Sequence, residues 1–159
     1  MTNQVYKHRV KNVMSREVVT INARDTVHEA LELMMENRVS ALPVIDNRGR
    51  CIGILSTSDF VDVTHDLDEG MNGADHQSEI WWAIFVKNVS DHVGQQSVMD
   101  LMTENVISTE PDALLVHAAG TMLRERVHRL PVLDGQKRLL GIISTTDVLK
   151  AFVDCSPEQ

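Results

Sequence analysis

Two stretches of the sequence combine a glycine, several hydroxyl groups and a carboxylate at identical spacing: Gly53-Ile-Leu-Ser-Thr-Ser-Asp59 and Gly141-Ile-Ile-Ser-Thr-Thr-Asp147. A glycine inside a strand lets a ligand or another backbone come close. The free amides at the start of a helix favour phosphate or another anion. Four hydroxyl groups can add hydrogen-bond donors there, those of Ser56, Ser58, Ser144 and Thr146. Both stretches are therefore predicted to form an anion-binding turn.

The carboxylates of Asp59 and Asp147 require a partner other than phosphate, which would repel them. A carboxylate only accepts hydrogen bonds, so it matches the paired hydroxyls of a ribose, as the acidic residue of dinucleotide-binding folds does. Ordinary helix capping produces the same pattern, because a serine and an acidic residue three positions later form a capping box. Position alone does not separate ribose binding from capping.

The two stretches belong to a longer internal duplication, with copies at Met14–Asp62 and Met102–Lys150. The copies align without a gap at an offset of 88 positions, and about a third of the aligned residues are identical. Solenoid arrays need about three or more repeats to bury a continuous core, so two copies do not predict a solenoid. The duplication favours two related halves packed face to face.

Each copy contains the same order of elements, and these elements must position the two stretches. A short β segment, Val18–Ile21 or Val106–Thr109, precedes a helix whose apolar residues have the spacing of one buried face. Two strands joined by a polar turn follow, and a closing helix starts at Ser56 or Ser144. The order β-α-β-β-α occurs twice and predicts an α/β fold.

The same periodicity predicts which positions are buried and where the strands lie. The first helix should bury Val27, Ala30, Leu31, Met34 and Met35, and its repeat should bury Leu115, Ala118, Ala119, Met122 and Leu123. The predicted strands are Leu42–Ile45, Cys51–Leu55, Leu130–Leu133 and Leu139–Ile143. Together these positions define the expected core of each copy.

Residues 64–96 have no counterpart inside the duplication. A helix is predicted over Glu79–Val89, with one side formed by Ile80, Trp81, Ile84, Phe85 and Val89. This helix should cover an edge of the core or lie in a dimer contact, where buried aromatic residues are favoured.

The acidic, glycine-rich part of this linker could be drawn as a divalent metal site formed by His65, Asp66, Asp68, Glu69, Asp75 and His76. Metal ligands need fixed geometry, which such a loop does not supply. We therefore expect a solvated loop and no metal.

Composition narrows the class of protein further. The formal charge of −8 argues against non-specific binding to nucleic acid or to an anionic membrane. There is no apolar run long enough to span a membrane and no secretory signal, so we expect a cytoplasmic location. Cys51 and Cys155 have no metal-type spacing, and a disulfide between them is not expected. No motif of a catalytic nucleophile or phosphate loop is present, so we do not expect an enzyme.

The two closing stretches, each preceded by Leu-Pro-Val and a turn, resemble the cystathionine-β-synthase (CBS) domain family over nearly all of both copies. The segments Arg38-Val-Ser-Ala-Leu-Pro-Val44 and Arg126-Val-His-Arg-Leu-Pro-Val132 also resemble the gamma subunits of AMP-activated protein kinases, which bind adenine nucleotides. The resemblance implies two repeated β-α-β-β-α CBS units packed as a pseudo-two-fold pair, a Bateman module, with ligand clefts between the units. The expected domains are residues 8–64 and 97–153, with a linker at 65–96 and a tail at 154–159.

The resemblance also implies that the backbone around each Leu-Pro-Val strand meets an adenine. The expected ligand-binding residues are Thr20, Val39, Ser40, Ala41, Pro43, Ser56, Ser58 and Asp59 in the first copy, and Ser108, Val127, His128, Arg129, Pro131, Ser144, Thr146 and Asp147 in the second. The copies differ where Ser40 and Ala41 align with His128 and Arg129. Arginine can hold a phosphate by two parallel hydrogen bonds, so the second pocket should tolerate phosphate better.

Two functions follow from these interpretations. The first is a regulatory sensor that binds an adenosine-containing ligand of the AMP, ADP or ATP class, requires no cofactor, forms a homodimer and signals to a partner protein. The alternative is a structural or interaction module without a functional ligand, which docks a partner through the Trp81/Trp82 segment.

Overall fold

The computed structural model describes residues 4–60 and 79–155. Its helices are α1 (Val10–Val13), α2 (Val27–Asn37), α3 (Glu79–Val93), α4 (Val98–Leu101), α5 (Leu115–Glu125) and α6 (Thr145–Asp154). Its strands are β1 (Ile21–Asn22), β2 (Ala41–Ile45), β3 (Cys51–Ser56), β4 (Arg129–Leu133) and β5 (Leu139–Ser144), with short 3-10 turns at Gln4–Lys7 and Thr57–Phe60. The α/β class predicted from the sequence is confirmed.

The described chain divides into two compact units that do not coincide with the two sequence copies. Unit 1 consists of residues 4–18, 48–51 and 106–155, and unit 2 consists of residues 19–47, 52–60 and 79–105. Met14, which opens the first copy, therefore lies in the unit that contains most of the second copy, and Met102 lies with the first copy. Alignment of the copies could not reveal this exchange, because it compares residue types and not contacts.

Unit 2 is built on a sheet with the strand order β1-β2-β3. β1 pairs in parallel with the end of β2, where Ile21 lies opposite Val44 and Asn22 opposite Ile45. The predicted segment Val18–Ile21 was wrong in its bounds, because this pairing reaches only the last two residues of β2. The strands predicted at Leu42–Ile45 and Cys51–Leu55 are confirmed, and each is one residue longer.

The helix α2 starts at a capping box. The hydroxyl of Thr26 accepts a hydrogen bond from the Glu29 amide at 3.2 Å, and the Glu29 carboxylate accepts one from the Thr26 amide at 2.7 Å. The helix buries Val27, Ala30, Leu31 and Met34 as predicted. Met35 is 43% exposed, so its predicted burial was wrong: the buried face is narrower than the apolar stripe.

The helix predicted at Glu79–Val89 is confirmed as α3 and extends to Val93. It packs against α2, and it buries Phe85 and Val89 in the core of unit 2. Trp81 and Trp82 are partly buried against the same core. Ile80 and Ile84, which the periodicity places on the same side of the helix, are 74% and 42% exposed. The helix turns Trp82 rather than these isoleucines toward the core.

Unit 1 contains the antiparallel pair of β4 and β5, which confirms the strands predicted in the second copy. Thr109 forms a parallel bridge with Val132, at the position equivalent to the pairing of Ile21 with Val44. In the predicted segment Val106–Thr109, only Thr109 takes part in a bridge. Val10 and Met14 join the core of this unit.

The helix α5 buries Leu115, Ala118 and Met122 as predicted. Ala119 is only partly buried, and Leu123 is 82% exposed, so the predicted burial of these two residues was wrong. The shift has the same physical reason as in α2: residues at the edge of an apolar stripe face solvent when the covered face is narrow.

The remaining predictions concern absences and the linker. Within residues 4–60 and 79–155, no helix is long and apolar enough to cross a membrane, and no group of three or more candidate ligands could hold a metal. The candidate metal ligands drawn between His65 and His76 lie outside the described residues. Cys51 and Cys155 form no disulfide.

Candidate functional site

In unit 1, Ser144 and Asp147 form the start of α6. Ser144 is the N-cap, and its hydroxyl accepts a hydrogen bond from the Asp147 amide at 3.2 Å. Oδ2 of Asp147 accepts hydrogen bonds from the amide and the hydroxyl of Ser144, both at 2.9 Å. Oδ1 of Asp147 accepts no hydrogen bond from any residue that the structure describes. The capping interpretation is confirmed here, and it leaves one carboxylate oxygen available.

In unit 2, the equivalent residues Ser56 and Asp59 interact in a similar way. Oδ2 of Asp59 accepts hydrogen bonds from the Ser56 amide at 2.7 Å and from the Ser56 hydroxyl at 3.2 Å. The hydroxyls of Ser56 and Ser58 are 2.6 Å apart. In contrast to the situation in unit 1, Oδ1 of Asp59 also accepts a hydrogen bond, from the hydroxyl of Thr103 at 2.9 Å. Both oxygens of this carboxylate accept hydrogen bonds from the chain itself.

The chain following the two serines also differs. Ser144 opens α6, an α-helix of 10 residues, whereas Ser56 is followed by the 3-10 turn Thr57–Phe60. Residues 61–78, into which a closing helix of the first copy would extend, lie outside the described residues. Of the two closing helices predicted after these stretches, only the one in unit 1 is described, and its N-terminus can attract an anion.

The strand residues predicted to meet an adenine and a phosphate lie beside these turns. The Thr145 amide donates to the His128 carbonyl at 2.9 Å, and the Thr57 amide donates to the Ser40 carbonyl at 3.0 Å. Arg129 lies directly opposite Ser144 in the antiparallel pair, so the two side chains share one face of the sheet. His128 and Arg129 are exposed, and the Arg129 guanidinium makes no hydrogen bond or ion pair with a described residue.

The other predicted residues lie on or beside the same strands. Val39 and Val127 are partly buried against the cores of their units, and Pro43 and Pro131 are buried within β2 and β4. Ser108 precedes Thr109, whose amide donates to the Pro131 carbonyl at 3.0 Å. Thr20 and Ala41 are half-buried. The exposed residues of this group are Ser40, Ser58, Ser108 and Thr146.

The close approach predicted at the two glycines is made by other segments of the chain itself. A Cβ atom at Gly53 would lie 2.5 Å from the sulfur of Met102 and 3.1 Å from the Thr103 carbonyl oxygen. A Cβ atom at Gly141 would lie 2.6 Å from the Ser15 carbonyl oxygen. Because these glycines have no side chain, the segment around Ser15 can pack against Gly141, and the segment around Met102 can pack against Gly53.

Thr103 is the residue of this arrangement that sequence reasoning missed. Its backbone bridges Ile54 in antiparallel fashion, which carries its hydroxyl to Asp59. Ser15, its equivalent in the other copy, bridges Ile142 in the same way. The Ser15 hydroxyl donates instead to the Glu17 carbonyl at 3.4 Å. The alignment of Thr103 with Ser15 was a possible signal, but it becomes informative only when the exchange of segments is known.

Comparison with known proteins defines the class to which this fold and these turns belong. The family model of the CBS domain matches residues 10–66 and 98–154. The chain belongs to the CBS domain family and carries two CBS domains.

Individual relatives extend the comparison. The chain is 30% identical over 142 residues to inosine-5′-monophosphate dehydrogenase of Methanocaldococcus jannaschii, covering 89% of this chain and 23% of the dehydrogenase. It is 29% identical over 138 residues to the gamma-3 subunit of 5′-AMP-activated protein kinase from Sus scrofa, covering 87% of this chain and 24% of that subunit. Among solved structures, CBSX2 in complex with AMP matches with a TM-score of 0.70 at 26% identity, covering 92% of this chain and 97% of that one.

Proposed function

We propose that this chain is a regulatory, ligand-sensing module that binds an adenosine-containing ligand of the AMP, ADP or ATP class and signals to a partner protein. The observation that carries the proposal is the arrangement around α6, where the available Oδ1 of Asp147 and the exposed Arg129 and His128 flank one helix start. A carboxylate oxygen suits ribose hydroxyls, and an arginine beside a helix N-terminus suits a phosphate. A related CBS structure contains AMP, which supports the same ligand class.

The alternative function, docking of a partner through the Trp81/Trp82 segment, is less well supported by the packing of that segment. The rings of Trp81 and Phe85 stack at 5.1 Å between centroids, and those of Trp82 and Phe85 lie 5.2 Å apart. Phe85 is 6% exposed and belongs to the core of unit 2. The tryptophans therefore contribute to stability, and a partner would have to compete with that packing.

Thermal shift with a ligand panel separates these two functions. The panel contains AMP, ADP, ATP, S-adenosylmethionine, NAD and cyclic dinucleotides, with inorganic phosphate as the control. A ligand that binds only the folded chain raises the free energy of unfolding by about 2.7 kcal/mol at a concentration a hundred-fold above Kd, and the melting temperature rises with it. We expect a concentration-dependent increase with at least one adenine nucleotide and none with phosphate alone. The absence of any shift at millimolar ligand would favour the interaction module.

The phosphate preference tests the role of Arg129. In Arg129→Ala, the affinity for AMP should fall about ten-fold or more, whereas the affinity for adenosine should change little, because a charged hydrogen bond contributes about 1.5–3 kcal/mol. Arg124→Ala is the matched control, since this exposed arginine of unit 1 contacts Glu125 and Thr121. Ala41→Arg should introduce a phosphate preference in unit 2. An unchanged ratio of AMP to adenosine affinity in Arg129→Ala would exclude a phosphate contact by this residue.

The proposed function includes a homodimer and a cytoplasmic location. The helix α6 presents an apolar stripe of Leu149, Phe152 and Val153, which are 65%, 58% and 67% exposed. Their spacing of i, i+3 and i+4 places them on one face of the helix. Exposed apolar residues in a contiguous stripe are typical of a protein contact. A second copy of the chain is the occupant that the proposal assigns to it.

A further inference from the structure

We infer that the two ribose-recognising carboxylates are unequal, and that Thr103 is the specificity-determining residue that withholds Asp59 from a ligand while Asp147 stays open. This inference rests on the proposed function. The inference adds to the proposed function which of the two duplicated sites accepts the ribose and which residue decides this.

The two carboxylates differ in a single contact. In each, Oδ2 is engaged by the amide and the hydroxyl of the serine three residues earlier. Oδ1 of Asp59 is engaged by Thr103 at 2.9 Å, whereas Oδ1 of Asp147 accepts no hydrogen bond from a described residue. A ribose hydroxyl can therefore bind Asp147 without displacing anything but water.

The duplication provides an internal control for the role of Thr103. Ser15 and Thr103 are equivalent, and each pairs through its backbone with the strand that leads to the carboxylate, opposite Ile142 and Ile54. The Thr103 hydroxyl reaches Asp59, but the Ser15 hydroxyl is directed to the Glu17 carbonyl at 3.4 Å. The β-branched threonine has fewer favourable χ1 rotamers than serine, which holds its hydroxyl in place.

The expected size of the effect follows from the bond that a ligand must replace. A ribose hydroxyl that takes the acceptor position used by Thr103 must displace a hydrogen bond to a charged group, which contributes about 1.5–3 kcal/mol, so this competition weakens binding at Asp59 by about ten- to hundred-fold. For a ligand that carries a phosphate, binding at Asp59 should be weakened further, because unit 2 has Ser40 and Ala41 at the positions of His128 and Arg129 in unit 1. Adenosine, which has no phosphate, isolates the contribution of Thr103.

The test is an NMR titration of the isotopically labelled full chain with adenosine, which follows the backbone amides of Thr146 and Asp147 and those of Ser58 and Asp59. In the wild-type chain, adenosine should shift the first pair at concentrations about ten-fold or more below those that affect the second. In Thr103→Val, both pairs should shift in the same concentration range. Ser15→Ala is the matched control, and the amides of Thr146 and Asp147 should still shift at lower adenosine concentrations than those of Ser58 and Asp59. In the double variant Thr103→Val with Asp59→Asn, this difference in concentration should return.

The outcomes separate this inference from the proposed function. If adenosine and AMP shift none of these amides in the wild-type chain, the proposed function fails. If both pairs shift together in the wild-type chain, or if Thr103→Val leaves the Asp59 site as weak as before, ligand binding stands but the role of Thr103 is overturned. Thr103 is exposed and its backbone bridge does not require the hydroxyl, so the variant should retain the fold.

Discussion

Gly141 lies so close to Ser15 that a Cβ atom added to the glycine would come within 2.6 Å of the serine carbonyl oxygen. The two backbones are joined by hydrogen bonds of 2.9 Å in both directions between Ser15 and Ile142. A segment from the beginning of the first copy thereby becomes part of the unit that contains β4, β5 and α6. The missing side chain of Gly141 is what permits this approach.

Gly141→Ala should therefore destabilise the fold. Overpacking of a tight contact costs about 1–3 kcal/mol, because the backbone of Ser15 must shift. Urea denaturation monitored by circular dichroism measures the change in the free energy of unfolding. Gly135→Ala is the control, since a Cβ atom there has no neighbour within 4 Å. Equal stability of Gly141→Ala and wild-type protein would show that the segment around Ser15 does not pack as described.

Gly120 offers the opposite effect within the same unit. It lies inside α5, and a Cβ atom at this position has no neighbour within 4 Å. Glycine in a helix interior is less favourable than alanine by about 0.8–1 kcal/mol. Gly120→Ala should therefore raise the free energy of unfolding by up to about this amount, measured in the same urea experiment. A loss of stability would contradict the helical environment assigned to this residue.

Sequence reasoning anticipated much of the fold because the duplication reports the same pattern twice. The strands on either side of each turn and the capping box at Ser144 follow from local signals. Burial at the edges of the helices did not, because Met35 and Leu123 satisfy the apolar spacing but lie outside the covered face. The periodicity of one helix does not predict how wide the surface is that packs against it.

The candidate site divides in the same way between local and non-local information. The contacts of Ser144 with Asp147 and of Ser56 with Asp59 are local and were anticipated as a capping pattern. The contact of Thr103 with Asp59 joins residues 44 positions apart and depends on the exchange of segments. No pattern within one copy could predict it.

The turn between β4 and β5 predicts a dependence of stability on pH. The hydrogen bond from the backbone amide of Arg138 is the main cause that lowers the pKa of Asp134 below its usual value. Burial opposes it, and the Gln136 amide and the Arg138 side chain lower the pKa further. The stabilisation is therefore present at neutral pH and is lost as the pH falls through the lowered pKa of Asp134. In urea titrations from pH 7 to pH 2, Asp134→Asn should be less stable than wild type at neutral pH, and this gap should close at acidic pH. A gap that stays constant would contradict the prediction.

The apolar stripe on α6 predicts the effect of a charge on assembly. Leu149→Glu should convert the proposed homodimer into a monomer, because a carboxylate in an apolar contact loses its hydration. Analytical ultracentrifugation with and without AMP measures the association state. Ile80→Glu is the matched control, since Ile80 is a similarly exposed apolar residue on α3. A dimer that persists in Leu149→Glu, or a wild-type chain that is monomeric throughout, would exclude this stripe as the contact.

The central claim is that the start of α6 binds an adenine nucleotide, and calorimetric titration with AMP tests it most directly. The wild-type chain should show saturable binding, and Asp147→Asn should weaken it by about ten-fold or more, because the amide replaces one acceptor oxygen with a donor group. The equivalent change Asp59→Asn should have little effect on this binding. Saturable binding that depends on Asp147 is the result we predict. An absence of binding at millimolar AMP, or binding that is unchanged in Asp147→Asn, would contradict the claim.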